Sequence, residues 1–257
     1  MPPKHIIFEQ PLNERIRICL RVETLMKRFH YFTSLKGDWS GYAALLGVIE
    51  ITSLLERVDL KQELMKELER QHSALKSLAE HEEVDKPKLT LILSQQKHAL
   101  EGLHQLNGKL GEHLKRNDFL LSIKQRTSIP GGSCDFDLPE LRFWLNQDHT
   151  KRVVDLERWA APYLEVESAI ELALGVIRDS AMPEEVIAEK GFFHQTLDPK
   201  QSNQLLRISI PAGEIIYPEV SAGKHRYSVR FLNPLPIDHL PTQIKEDVTF
   251  SLTRCSL

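Results

Sequence analysis

The feature that most constrains this fold is a change of period. Up to about residue 182, apolar side chains recur every three to four positions, the spacing of one face of an α-helix. From Gly191 onward they recur every second position, the spacing of a half-buried strand. A chain that spends its first two thirds on one period and its last third on the other is read as α+β with segregated elements, not as alternating βαβ units. The expected architecture is a mostly helical bundle domain over residues 12–182 and a small antiparallel β-sheet domain. The β-domain takes residues 1–11 and 191–257, with residues 134–138 as a candidate further strand.

Residues 5–9 have Ile6 and Phe8 on one parity and read as a strand that Pro11 ends. This N-terminal strand is expected to join the sheet, because an isolated edge is a liability. That would tie the first helix, with Arg17 and Arg21, to the sheet bearing Arg226 and Arg230. Asn13 is placed to cap this helix, whose apolar side runs through Ile16, Cys19, Leu20, Met26 and Phe29. Residues 37–41 break it. Residues 42–81 then form either one long kinked helix, spanning about 60 Å, or two helices in succession with Asp59 as cap. A charged connector holding Pro87 precedes another amphipathic helix, closed by Asn107-Gly108. Shorter helical pieces follow at 110–116 and 118–126. Cys134, Phe136 and Leu138 alternate, and Pro139 suits the first turn of the next helix. Two further helices are expected, one carrying Val153 to Trp159 and one carrying Leu164 to Ile177, with the helical part ending at Met182-Pro183 and the acidic run after it.

Within the β-part, residues 205–210 and 247–253 alternate cleanly, 191–196 and 217–220 less so. The stretch 224–231, Lys-His-Arg-Tyr-Ser-Val-Arg-Phe, is the most regular. His225, Tyr227, Val229 and Phe231 share one face. Lys224, Arg226, Ser228 and Arg230 share the other, with cations two positions apart about 6.6 Å from each other. Like charges at that spacing repel unless an anion lies across them. The row is therefore either a solvated sheet face or a seat for an acidic ligand. Arg17 and Arg21, one helical turn apart, pose the same choice, with Glu14 and Glu23 near enough to neutralise them.

Composition narrows the function classes. The chain has 257 residues and a formal charge of −3, which disfavours a phosphate backbone as principal partner. Its three cysteines, Cys19, Cys134 and Cys255, form no C-x-x-C pair, so neither a disulfide framework nor a metal site is expected. The N-terminus has no apolar signal region, and no apolar run approaches 18 residues. A cytoplasmic protein without membrane insertion is expected. No dinucleotide, hydrolase or zinc-protease motif occurs, and the glycines of residues 128–133 lack the Lys-Ser/Thr of a P-loop. Asp135 and Asp137 could share a face as a carboxylate pair, but nothing places them around a reacting bond. No enzyme activity and no cofactor are expected. His72, His98, His104 and His113 read as surface residues of helices.

Several segments, in order along almost the whole chain, resemble one family. They are Phe8-Glu-Gln-Pro-Leu-Asn-Glu-Arg-Ile-Arg17, Leu64-Met-Lys-Glu-Leu-Glu-Arg-Gln71, Ser128-Ile-Pro-Gly-Gly132 with Phe136-Asp-Leu-Pro139, and Tyr217-Pro218 followed by residues 226–231. They resemble the ZapD family of bacterial cell division proteins. The resemblance implies a helical domain and a β-domain, a symmetric homodimer formed through the helical part, and binding of the C-terminal tail of FtsZ. It also implies cross-linking and bundling of FtsZ filaments at the mid-cell division ring. The tail is implied to sit in a basic pocket by the β-domain. Arg21, Arg57, Arg226 and Arg230 match the family's basic contact residues, and Lys224 is similar in charge. Arg142 stands where the family has a histidine. Asp118 stands where relatives can carry arginine, with Lys115 and Arg116 as neighbouring substitutes. Arg17, Lys115, Arg116 and Tyr227 are the further candidates, Tyr227 or Tyr217 as an apolar patch. Two other classes use the same basic row: a nucleic-acid-binding module, and an enzyme without a recognisable motif acting on an anionic metabolite.

Overall fold

The structure is a computed structural model that describes residues 4–56, 58–80, 84–106, 108–198, 201–223, 225–236 and 238–257, excepting the side chains of residues 80, 113 and 115. The chain is α+β and divides into two compact units, one made of the residues up to 17 and from 174 onward, the other of residues 18–173.

The helical unit is built from α1 (Glu14–Ser34), α2 (Asp38–Leu55), α3 (Leu60–Ser77), α4 (Lys86–Gln105), α5 (Asp118–Arg126), α6 (Pro139–Leu145) and α7 (His149–Arg178), the divisions falling inside α1 and α7. Side-chain caps start several of them. The Ile16 amide donates to Asn13 Oδ1 over 2.9 Å, and the Gln62 amide to Asp59 Oδ1 over 3.3 Å. The stretch expected as one kinked helix or two is thus two helices in succession, α2 and α3. Pro87 lies inside the first turn of α4, not in a connector, because that turn has amides to spare, and Asp85 caps the Lys88 amide.

The two helices expected between Val153 and Ile177 are one, running 30 residues through Pro162. An interior proline costs roughly 3 kcal/mol. Burial outweighs it: Tyr163, Val166 and Ile170 are fully enclosed, and each such side chain contributes roughly 1.5–3 kcal/mol. The Tyr163 hydroxyl donates to Thr52 Oγ1 over 2.7 Å, and the Thr52 hydroxyl in turn donates to the Val48 carbonyl. Phe119, Trp144 and Trp159 pack with ring centroids 5.8–6.0 Å apart. Elsewhere a polar chain is sealed among the helices. Gln71 Nε2 donates to Glu67 Oε1 over 3.0 Å and to the Ala173 carbonyl over 3.1 Å, and Gln96 Nε2 of α4 donates to Gln71 Oε1 over 3.4 Å. All three of these side chains are buried.

Residues 134–138 are not a strand. The Asp137 and Leu138 amides both turn back to the Cys134 carbonyl, and a five-residue alternation without a pairing partner cannot hold an extended chain. Asp135 and Asp137 are not a carboxylate pair either. Asp137 is bound by Arg126, while Asp135 lies 3.7 Å from Arg142 Nε. His72 is half-buried; His98 and His104 are exposed.

The β-unit contains two four-stranded antiparallel sheets. The first has the order β1 (His5–Pro11), β4 (Asn203–Pro211), β8 (Val248–Ser256), β2 (Glu184–Ala188). The N-terminal strand joins a sheet as expected, pairing from His5 opposite Pro211 to Pro11 opposite Leu205, but two sheets form where one was expected, and this one is not the sheet that carries Arg226 and Arg230. Glu9 locks this join, accepting from Arg178 Nε over 2.8 Å and Arg207 Nε over 3.0 Å. The second has the order β3 (Phe192–Thr196), β6 (Arg226–Asn233), β5 (Tyr217–Ala222), with β7 (Thr242–Gln243) on β6. Both sheets contribute to one core. Leu206, Ile208 and Ile210 of β4 and Val248, Phe250 and Leu252 of β8 pack with Tyr227, Val229 and Phe231 of β6. Phe231 and Phe250 meet at 4.9 Å between centroids.

Candidate partner-binding site

Strand parity builds the candidate site. With Tyr227, Val229 and Phe231 at most 1 % exposed in the core, Arg226, Ser228 and Arg230 must point away from it. The antiparallel register then decides their neighbours. On one side Thr196, His194 and Phe192 of β3 stand opposite Arg226, Ser228 and Arg230. On the other side Ser221 and Glu219 of β5 stand opposite Ser228 and Arg230. Directly opposed side chains lie about 5 Å apart, so these residues form one continuous outer surface.

A tight turn sets where β3 begins. Lys190 and Gly191 both have positive φ, at 49° and 71°, the pattern of a type I′ hairpin turn between β2 and β3. A side chain at Gly191 would put its Cβ 2.5 Å from the Ile244 carbonyl oxygen. Immediately after it, Phe192 emerges on the outer face, 43 % exposed. Its ring stacks with that of His194, with centroids 5.8 Å apart and planes at 27°. These two, with Thr196, Ser221, Ser228 and Arg226, line an open groove of about 590 Å³. That size falls within the usual range for ligand sites, roughly 300–1,000 Å³.

The two arginines of the row differ. Arg230 is engaged: its Nε donates to Glu219 Oε2 over 3.1 Å, and both side chains are about half exposed. Such a surface pair contributes at most about 1 kcal/mol. Arg226 is exposed and makes no ion pair among the described residues. The outer face of the sheet therefore presents one open cation, Arg226, which lines the groove, and one occupied cation, Arg230, which does not.

Tyr227 does not offer an apolar patch to this surface. Its ring belongs to the core and its hydroxyl donates to Gln195 Oε1 over 2.7 Å, where burial pushes its pKa up. Tyr217 is half-buried on the outer face of β5. The exposed ring beside the row is that of Phe192, which sequence reasoning leaves unassigned, as it does Glu219. A signal for both is present in the sequence. Residues 191–196 read as a strand, and placing β5 beside β6 in hairpin register sets Glu219 against Arg230.

Of the other expected contact residues, Lys224 and Arg57 lie outside the described residues, as does the side chain of Lys115. Arg17 pairs with Glu14 over 2.6 Å. Arg21, on α1 in the helical unit, is exposed and makes no ion pair among the described residues. Arg116 is exposed in a short 3₁₀ turn (Glu112–Arg116), and Arg142 is exposed on α6. Among the described residues no cluster of three or more His, Cys, Asp or Glu is arranged to hold a metal ion, and no helix is long and apolar enough to cross a membrane.

Comparison with known proteins assigns the chain. A family model described as "ZapD: Cell division protein" matches residues 20–230. The cell division protein ZapD of Azoarcus sp. (strain BH72) is 36 % identical over 98 % of this chain and 100 % of its own length. The ZapD proteins of Nitrosomonas eutropha and Methylococcus capsulatus are each 38 % identical over 98 % of this chain, covering 100 % and 98 % of their own lengths. With a family match over most of its length and relatives aligned nearly end to end, this chain belongs to the ZapD family of cell division proteins.

Proposed function

We propose that this protein binds the C-terminal tail of FtsZ through the outer face of the β3–β6–β5 sheet and, as a homodimer, cross-links FtsZ filaments into bundles that stabilise the division ring. The observation that carries this reading is the exposed groove ending at Arg226, a cation with no ion pair among the described residues, in a chain of a cell division family. A C-terminal tail always bears at least one carboxylate, and a guanidinium is the side chain best shaped to receive it. Dimerisation is assigned to the helical part, residues 12–182, and the working location to the cytoplasm at the mid-cell division site. Arg21, Arg57, Arg142 and Lys224 join Arg226 and Arg230 as the tail-contacting set, with Arg17, Lys115 and Arg116 as further candidates.

Bivalence explains how a weak contact suffices. Every filament subunit carries a tail, so a dimer held by one tail finds the next at high effective concentration. The role is one of binding and not of catalysis. The test is co-sedimentation of GTP-assembled FtsZ with this protein, using intact FtsZ and FtsZ lacking its tail, at low and physiological salt. Bundles that require the tail and thin out as salt rises are expected, since the Debye length falls to about 8 Å at physiological strength. Bundling that survives removal of the tail would overturn the reading.

A further inference from the structure

We propose that the groove on the β3–β6–β5 sheet reads two chemistries at a fixed spacing: Arg226 takes a carboxylate of the bound segment, and the Phe192 ring takes an apolar side chain about four residues away. The inference rests on the tail-binding reading and adds to it an apolar subsite that the basic residues do not supply.

Three observations point to it. Phe192 is a large ring on the solvent side of a strand at the sheet edge, 43 % exposed, although residues of the same strand with the opposite parity turn into the core. The ring is held, not loose: it stacks with His194 and follows directly on a turn whose Gly191 admits no side chain. A fixed ring loses little entropy on contact, which makes it a good anchor. Third, Phe192 and Arg226 line the same groove from opposite ends. Thr196 is the residue opposite Arg226, and Phe192 is four positions back along β3. At about 3.3 Å per residue that is roughly 13 Å, the distance between side chains four apart on an extended peptide.

Charge decides which chemistry goes where. At the Phe192 end the neighbouring cation, Arg230, already has Glu219 as its partner, so that end is close to neutral and suited to an apolar side chain. At the other end Arg226 makes no ion pair among the described residues. A segment lying in the opposite sense would set its carboxylate beside an arginine that Glu219 already occupies, and its apolar side chain against the open charge of Arg226. The groove thus selects direction as well as composition. An apolar anchor with a polar surround is also the usual anatomy of a specific peptide contact.

The experiment is fluorescence anisotropy of a labelled FtsZ C-terminal tail peptide with full-length protein at two salt concentrations, comparing wild type, Phe192→Ala, Phe192→Leu and Arg226→Gln. Phe192→Ala is expected to weaken binding about tenfold at both salts, leaving the salt dependence unchanged, and Phe192→Leu to restore most of it. Arg226→Gln is expected to weaken binding chiefly at low salt and to flatten the salt dependence. Wild-type affinity in Phe192→Ala, with Arg226→Gln impaired, would overturn the apolar subsite and leave the tail-binding reading standing. A wild-type protein that does not bind the peptide at either salt would remove that reading, and this inference with it. Circular dichroism of each variant, and Phe192→Thr as a second substitution with high strand propensity, separate lost contact from lost fold.

Discussion

Glu219 and Arg230 face each other across β5 and β6 and close an ion pair on the exposed side of the sheet, Arg230 Nε donating to Glu219 Oε2 over 3.1 Å. The protein's own carboxylate thus occupies one of the two arginines that a cationic row would otherwise offer together. A ligand reaching Arg230 must displace Glu219, and the modest strength of a half-exposed pair makes that displacement feasible.

Removing the competitor should therefore help the ligand. Glu219→Gln keeps the shape and abolishes the charge. Tail-peptide affinity is expected to rise about two- to fivefold at low salt, consistent with a pair worth at most about 1 kcal/mol, and to converge on wild type as salt increases. Titration of the variant beside wild type checks this; equal affinity at low salt would mean that Arg230 takes no part.

Reversing the row should abolish bundling. Arg226→Glu together with Arg230→Glu is expected to eliminate FtsZ co-sedimentation while leaving the proposed dimer, read by sedimentation velocity, intact. Arg226→Glu alone is the cleaner variant, because Arg230→Glu also sets two carboxylates opposite each other across β5 and β6. Bundling at wild-type level by either variant would reduce the row to a solvated face.

The turn that positions Phe192 can be tested through stability. At Gly191 an alanine meets both a φ of 71° and a Cβ 2.5 Å from a backbone carbonyl oxygen. Gly191→Ala is expected to lower the unfolding free energy by about 2 kcal/mol or more in urea titration. Gly213, with φ 112° but no neighbouring atom within 4 Å of where a Cβ would stand, is the control. Gly213→Ala should cost less, because only the backbone conformation is strained.

Burial pushes the Tyr163 hydroxyl pKa up to about 12, with Glu56 adding to the rise and the Thr52 hydrogen bond opposing it. A raised pKa means that the folded state holds this proton more tightly than the unfolded chain. The resulting stability is complete below pH 10, where both states are protonated, and is lost as pH climbs toward about 12. A rise of that size is worth a few kcal/mol, at about 1.4 kcal/mol for each tenfold change in proton affinity. Tyr163→Phe should cost about 1 kcal/mol at neutral pH, for the lost hydrogen bond, and should show a shallower alkaline fall in Tm than wild type. Parallel slopes between about pH 9 and 11 would contradict the raised pKa.

How far the sequence foretold this structure depended on whether the deciding interaction was local. The Asn13 and Asp59 caps were legible because a cap joins residues three apart. The inward face of β6 was legible because Tyr227, Val229 and Phe231 alternate without a break. By contrast, β2 was hidden in an acidic run: Glu184 and Glu185 are exposed, and only pairing with β8 makes the segment a strand. The continuity of α7 through Pro162 was invisible because burial of Tyr163, Val166 and Ile170 is a property of the packed unit. The same division runs through the candidate site. Arg226 was found from its own strand, whereas the Glu219 partner of Arg230 and the exposure of Phe192 follow from registers between strands.

The sealed chain of Glu67, Gln71 and Gln96 has a mechanical consequence for the helical unit. Where helices meet only through leucines, shape alone sets their register against a slip of one turn, about 5.4 Å. Here Gln71 is held by Glu67 on its own helix, by the Ala173 carbonyl and by Gln96 of α4. Slipping α4 against α3 would strand buried amides, each at a cost of about 1–3 kcal/mol. The joint is indexed: it can be carried as a block or melted, but it has no intermediate notch.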